Sequence, residues 1–258
     1  MIKKVLYQNS SGFQAVFYTY KLPLCESIDA SGIGADFTSD SLTFADGQIT
    51  TYKKLKPRQI PADFALSIVD EKEAERKLDY MTKLFNPLDD GKLTLVNDIG
   101  TFEIYCSPAE TPSFDNSKVS YVYRFSVDFV CDYPYFKQLG AIGRTITATN
   151  GVAQIIKSNS VPDTPVQIFI PDCTNGADIE IYNSKYSAKI VVLSHDKAVT
   201  VDTRTFKVID ATSVDVSNKI KVSSSIEDFL LTYGDNKIYL AGTDSVIISY
   251  NNLMIGVS

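Results

Sequence analysis

Tryptophan is absent from this 258-residue chain, and histidine occurs once, at His195. One histidine cannot supply a His-rich metal site, and it leaves little room for imidazole-based catalysis. The four cysteines, Cys25, Cys106, Cys131 and Cys173, stand far apart with no C-x-x-C pair. That spacing gives neither a zinc site nor a dense disulfide framework, and free thiols buried in strands are expected. No stretch approaches the ~18 uninterrupted apolar residues of a membrane span. The N-terminal Met1-Ile2-Lys3-Lys4 leads into no long apolar segment of the signal-peptide kind. Synthesis in a reducing cytoplasm, without membrane insertion, is the expectation. Positive charge is also short: 25 Lys and Arg face 31 Asp and Glu, a net charge of −6. An acidic chain repels phosphate backbones, which disfavours general nucleic-acid binding.

What is present is mostly strand-like. Phe13, Ala15 and Phe17 suggest an early strand after the turn Asn9-Ser10-Ser11-Gly12. Cys25 to Ala45 is rich in Ser, Gly, Asp and Thr and reads as a long loop or irregular hairpin. A strand resumes at Ile49 to Tyr52, a basic run follows at Lys53, Lys54, Lys56 and Arg58, and Ala62 to Val69 alternates as a strand. One helix is predicted within Asp70–Phe85. Asp70 is its N-cap, with Glu73 three residues on, and Ala74, Leu78, Met81 and Phe85 mark one face. Asn86-Pro87 and Asp89-Asp90-Gly91 stop it. Leu93 and Leu95, then Phe102, Ile104 and Cys106, form a hairpin around Asn97-Asp98-Ile99-Gly100. Tyr121, Tyr123, Phe125, Val127 and Phe129 keep a strict period of two, the clearest strand of the chain.

An aromatic exit, Tyr133-Pro134-Tyr135-Phe136, precedes a glycine-bearing and polar break between Leu139 and Val161. A domain boundary is placed near Gly140, giving domains 1–140 and 141–258. Beyond it, Ile142 to Ile156 opens a second unit. Short strand-like runs follow at Val166–Ile170, Ile179–Tyr182, Ala188–Leu193, Ala198–Val201, Phe206–Ile209, Ile238–Leu240 and Val246–Tyr250. Turn residues every ~8–12 positions give the spacing of a β-sandwich or jelly roll. The fold class is mainly β with one helix, an α+β chain.

In element order the chain resembles the siphophage distal tail protein (Dit) family, the baseplate hub below the phage tail tube. The passage Ile68-Val69-Asp70 through Asn86-Pro87 to Leu93-Thr94-Leu95 carries the resemblance. So does Phe125-Ser126-Val127-Asp128-Phe129-Val130-Cys131 running into Asp132-Tyr133-Pro134. In the second half, Pro165 to Ile170, Ile179 to Asn183, Val201 to Phe206, Leu230 to Ile238 and Val246 to Tyr250 carry it further. The resemblance implies an N-terminal ring-forming domain and a galectin-like C-terminal β-sandwich. It implies a hexameric hub ring, with the tail tube protein, a Tal-like tail-tip protein and receptor-binding proteins as partners. DNA would pass through the ring channel without specific binding. The expected place is the virion, at the tail tip, and neither enzymatic activity nor a cofactor is expected.

The expected chemistry is surface complementarity. Lys53, Lys54, Lys56 and Arg58 are either a solvated, lysine-guarded strand edge or a contact with a ring neighbour or the tube. Tyr133, Tyr135 and Phe136 are either a packed hinge or a subunit interface. Ser194-His195-Asp196 holds the residue types of a hydrolase triad, but adjacent side chains on extended backbone point apart. Asp89-Asp90 has the chemistry of a turn rather than of a glycosidase pair. The alternative function is a carbohydrate-binding adhesion module using aromatics such as Tyr182, Tyr186 or Tyr233. The missing tryptophan argues against it.

Overall fold

The computed structural model describes residues 1–41, 48–114, 122–140, 142–147 and 152–257. The end of the polar stretch through Ala45, the strand position Tyr121, and Gly151 lie outside them. The chain divides into two compact units, Met1–Leu139 with Ile255–Ser258, and Gly140–Met254.

The first unit carries β1 (Lys4–Asn9), β2 (Gln14–Tyr18), β3 (Leu24–Ile28), β4 (Ala35–Ser41), β5 (Gln48–Leu55) and β6 (Arg58–Ser67). After α1 (Glu71–Leu84) come β7 (Gly91–Val96), β8 (Thr101–Pro108), β9 (Val122–Cys131) and β10 (Phe136–Gln138). Within this unit the main sheet runs β10-β8-β7-β1-β2-β3-β6-β9, and β8 also pairs with β9. The second pairing closes seven strands into a barrel and so removes their free edges. Inward side chains follow the period of two: Val5 and Tyr7, Ile60, Ala62 and Phe64, Leu93 and Leu95, Phe102 and Ile104, and Phe125, Val127 and Phe129 are all buried.

The helix forms where its caps predict. The Asp70 side chain accepts from the Glu73 backbone N–H at 2.8 Å. The Glu73 carboxylate accepts from Val69 N–H at 2.7 Å, one residue before the N-cap. Glu71 and Glu73 sit at the positive end of the dipole, and Lys83 lies in the last turn. Ala74, Met81 and Leu84 are the buried helical positions, whereas Leu78 is only half-buried. Phe85, at the C-cap, is fully buried in an aromatic cluster. Its ring centroid lies 5.3 Å from Tyr7, 5.9 Å from Phe64, 5.8 Å from Phe125 and 6.0 Å from Phe129. The helix end is further held by Asn9, whose side-chain amide donates to the Lys83 and Leu84 carbonyls at 3.0 and 3.2 Å. That tie satisfies acceptors a helix terminus otherwise leaves open. Beside it, Gly91 leaves space for the Tyr7 ring, because a Cβ there would collide with the Tyr7 hydroxyl.

The second unit contains β11 (Ile142–Thr147), β12 (Gln154–Ser158), β13 (Thr164–Pro165), β14 (Gln167–Ile170), β15 (Ala177–Tyr182) and β16 (Ser187–Val192). It continues with β17 (Val199–Asp202), β18 (Lys207–Asp210), β19 (Leu230–Leu231), β20 (Gly234–Ala241) and β21 (Ser245–Tyr250). One sheet has the order β11-β21-β14-β17-β18 and another β12-β20-β15-β16. Ile168, Val199, Val201 and Ile248 from the first share one core with Ile156, Ile179, Ile190 and Ile238 from the second. Two sheets over one core make a β-sandwich. The short pair β13–β19 was not visible as alternation. Phe206, expected to open a strand, lies in the β17–β18 turn with φ 55° and its side chain exposed.

Candidate functional site

The basic run begins on a ribbon. Strands β4 and β5 pair with each other as a separate two-stranded sheet, setting Asp36 opposite Lys54, Phe37 opposite Lys53 and Thr38 opposite Tyr52. Opposed residues share a face, so Phe37 lies on one side of the ribbon and Tyr52 on the other. They are 62% and 55% exposed. Lys53 Nζ stands 5.7 Å from the Phe37 ring centroid, and Lys56 Nζ pairs with Asp36 at 3.1 Å. Lys53, Lys54 and Lys56 are all exposed. A two-stranded ribbon wet on both faces is marginally stable in water, and exposed ion pairs add little to it.

Arg58 departs from the three lysines. It is 1% exposed and donates only to backbone carbonyls. Nε reaches Pro134 O at 2.9 Å, and Nη1 reaches Ala30 O and Gly32 O, both at 3.0 Å. Nη2 donates to Ile255 O in the C-terminal residues that return to this unit. The guanidinium also stands 5.1 Å from the Phe136 ring centroid. Arg58 and Phe136, two of the candidate contact residues, are therefore both buried within the first unit. A desolvated guanidinium requires its donors filled, and a ring of carbonyls fills them. The sequence held a signal for this, since Ile60, Ala62 and Phe64 carried back two positions put Arg58 on the inner face. Tyr133 remains 54% exposed and meets the half-buried Tyr135 edge-on at 5.1 Å. The fold thus joins the basic run to the aromatic exit through Arg58, Pro134 and Phe136, and leaves the lysines and Tyr133 outside.

The residue types suggestive of hydrolysis are placed otherwise. His195 Nδ1 is 3.5 Å from Asp196, and Nε2 is 3.7 Å from Asp210 with no hydrogen-bond partner. A catalytic triad needs a nucleophile hydroxyl on that imidazole. Asp210 is buried. It accepts from the Thr212 hydroxyl at 2.7 Å, from the Thr212 and Val214 N–H groups, and from Lys197 at 3.2 Å. The Thr212 hydroxyl, then the backbone and Lys197 bonds, hold its carboxyl well below the usual carboxylate range. Asp89 accepts from Ser11 at 3.0 Å and Asn9 at 3.3 Å, and Asp90 from Ser107 at 3.0 Å. Those are turn-fixing bonds. Among the described residues no group of three or more His, Cys, Asp or Glu is placed to hold a metal ion.

Residues 28–131 match the model of a phage tail protein RIFT-related domain. No curated protein sequence matches the chain. Among solved structures, the Dit protein of phage SPP1, described as a paradigm of the hub adsorption apparatus in phages infecting Gram-positive bacteria, is similar with a TM-score of 0.73. Identity is 12%, over 97% of this chain and 99% of that one. A chain of the phage P2 baseplate in its activated conformation with Ca matches at TM-score 0.55 and 8% identity, with 100% of both chains covered. The strontium form gives 0.53 and 9%, again over 100% of both. Residues 28–131 thus carry the match to the phage tail protein RIFT-related domain, and the chain as a whole shares the fold of the SPP1 Dit protein.

Proposed function

We propose that this chain is a structural protein of a siphophage tail tip, a hub joining the tail tube to the baseplate or receptor-binding apparatus. The observation that carries the reading is the end-to-end likeness to the SPP1 Dit protein, 97% of this chain against 99% of that one. Six copies form a ring through their first units, closing head to tail as a heterologous interface must. The second unit, a galectin-like sandwich, offers the docking surface for tail-tip and receptor-binding proteins. DNA traverses the ring without specific contacts, and the chain performs no catalysis and needs no cofactor. Lys53, Lys54, Lys56, Tyr133 and Tyr135 are the proposed contact residues. The exposed aromatics of the β4–β5 ribbon support that assignment, since burial against a neighbour would supply what the isolated ribbon lacks. Electron microscopy of assembled tails with a label on this chain tests the reading. A ring of label at the distal end of the tube is expected, and its absence there refutes the hub.

One feature favours a second reading, a glycan-binding adhesion module. On the outer face of the four-stranded sheet, the 44%-exposed Tyr182 meets Tyr239 edge-on at 5.4 Å, with its hydroxyl on Glu180 at 2.9 Å. Calorimetry of the full chain with cell-wall oligosaccharides separates the readings. Affinity tighter than roughly 0.1 mM, about 5.5 kcal/mol, abolished by Tyr182→Ala, would favour adhesion.

A further inference from the structure

Cys106 and Cys131 lie on the two strands that close the barrel. The β8–β9 seam is short, with Ser107 opposite Val130 and Pro108 opposite Phe129. The same antiparallel register, continued one step past Ser107 and Val130, would place Cys106 against Cys131. Both belong to the buried phase of their strands, Cys106 with Phe102 and Ile104, Cys131 with Phe125, Val127 and Phe129. Directly opposed residues of an antiparallel pair hold their Cα atoms about 4.5–5.5 Å apart, inside the ~4.4–6.8 Å that a disulfide spans. All four thiols of the chain are free. The other two are occupied elsewhere, Cys25 Sγ with Ser27 O at 3.3 Å and Cys173 Sγ with Leu193 O at 3.6 Å.

We infer that Cys106 and Cys131 are a modification site, a dithiol that becomes an intramolecular disulfide across the β8–β9 seam on exchange with a low-molecular-weight disulfide such as oxidised glutathione. The thiolate of one cysteine attacks a sulfur of the oxidant, forming a mixed disulfide and releasing one thiol. The second cysteine then attacks the protein sulfur of that mixed disulfide, and the second thiol leaves. The protein loses two electrons and two protons, and the oxidant carries them away as two thiols. Burial first, and then the neighbouring Cys131, push the Cys106 thiol well above its ordinary value. Exchange is therefore slow in the closed barrel, and its rate keeps rising with pH beyond the ordinary thiol range. The product constrains the unfolded chain between the two positions and clamps a seam only two register pairs long. A reducing cytoplasm keeps the pair open during synthesis, and an oxidising medium favours closure afterwards.

The test uses the full chain, purified with reductant and then incubated with oxidised glutathione. Free thiols are alkylated, and the digest is read by mass spectrometry. The expected result is a Cys106–Cys131 cross-linked peptide, with Cys25 and Cys173 alkylated. The thermal midpoint should rise on oxidation and return with dithiothreitol. The rise should persist in a Cys25→Ser, Cys173→Ser double variant and vanish in Cys131→Ser. Mixed disulfides without a cross-link, a link through Cys25, or four unreacted thiols after incubation near the unfolding midpoint would each overturn the inference. A cross-link that leaves the midpoint unmoved would overturn the clamp. None of these outcomes depends on ring formation, so they are separable from the proposed function.

Discussion

Arg58 shows how far one buried side chain can organise a unit. It holds four carbonyls from three separate segments, Ala30 and Gly32, Pro134, and Ile255. Truncation would strand all four acceptors in a site closed to water. Arg58→Ala is expected to destabilise the first unit by about 3–5 kcal/mol. Arg58→Lys should recover only part of this, because a single ammonium cannot reproduce the planar fork. Urea titration of the full chain measures both. Asp210 is the counterpart in the second unit. Its folded carboxyl titrates below the unfolded one, so the native state binds fewer protons. Its contribution is present above the unfolded value of about 4 and is lost as pH falls through the lower folded value. The urea midpoint of Asp210→Asn should therefore fall less steeply than that of the parent between about pH 5 and pH 2. Equal slopes would remove Asp210 from the account.

Among the elements, the helix was the most legible, because its cap, its acidic first turn and its Asn-Pro stop all speak locally. Its depth of burial was not. The heptad-like spacing singled out Leu78, but the barrel covers Leu84 completely and Leu78 only partly. Leu84→Ala should cost about 2–5 kcal/mol, and Leu78→Ala distinctly less, by chemical denaturation. Strand β1 was missed, since Leu6 on its outer face, between Val5 and Tyr7, breaks the apolar–polar alternation that Lys4 and Gln8 otherwise keep. The β4–β5 ribbon was half seen as an irregular hairpin. Nothing in a polar, two-sided sequence announces a sheet of its own. Replacing Phe37 and Tyr52 together by Ser should leave the urea midpoint of the isolated chain nearly unchanged and reduce incorporation into tails. A large loss of stability without assembly loss would mean the ribbon serves the fold alone.

At the scale of the molecule, the sequence showed a β-rich chain with a change of character near Gly140. What it could not show was the return of Ile255–Ser258 to the first unit, where Val257 N–H bonds to Ala30 O at 3.2 Å. No local pattern marks a distant backbone partner. The barrel interior and the sandwich core were readable as alternation, whereas barrel closure rests on register, which no single strand encodes. We propose that residues 140–254 fold alone, because one continuous apolar cluster fills their two sheets. A cooperative urea transition for that fragment is expected. Removal of residues 255–258 from the full chain should instead lower the midpoint of the first unit, by taking away an Arg58 acceptor.

The barrel is joined unevenly. Strands β6 and β9 share ten register pairs, yet β2 meets β3 through a single parallel pair, Tyr18 with Leu24, and β8 meets β9 through two. The thin joints divide the barrel into two half-shells, β3-β6-β9 and β8-β7-β1-β2, with α1 as the strap carrying the chain from one to the other. Such a body breathes by parting along its seams. Amide exchange should be fastest at Tyr18, Leu24, Ser107 and Val130, and slowest at the centres of β6 and β7. A load applied across this unit would be borne by the half-shells and yielded to at the joints.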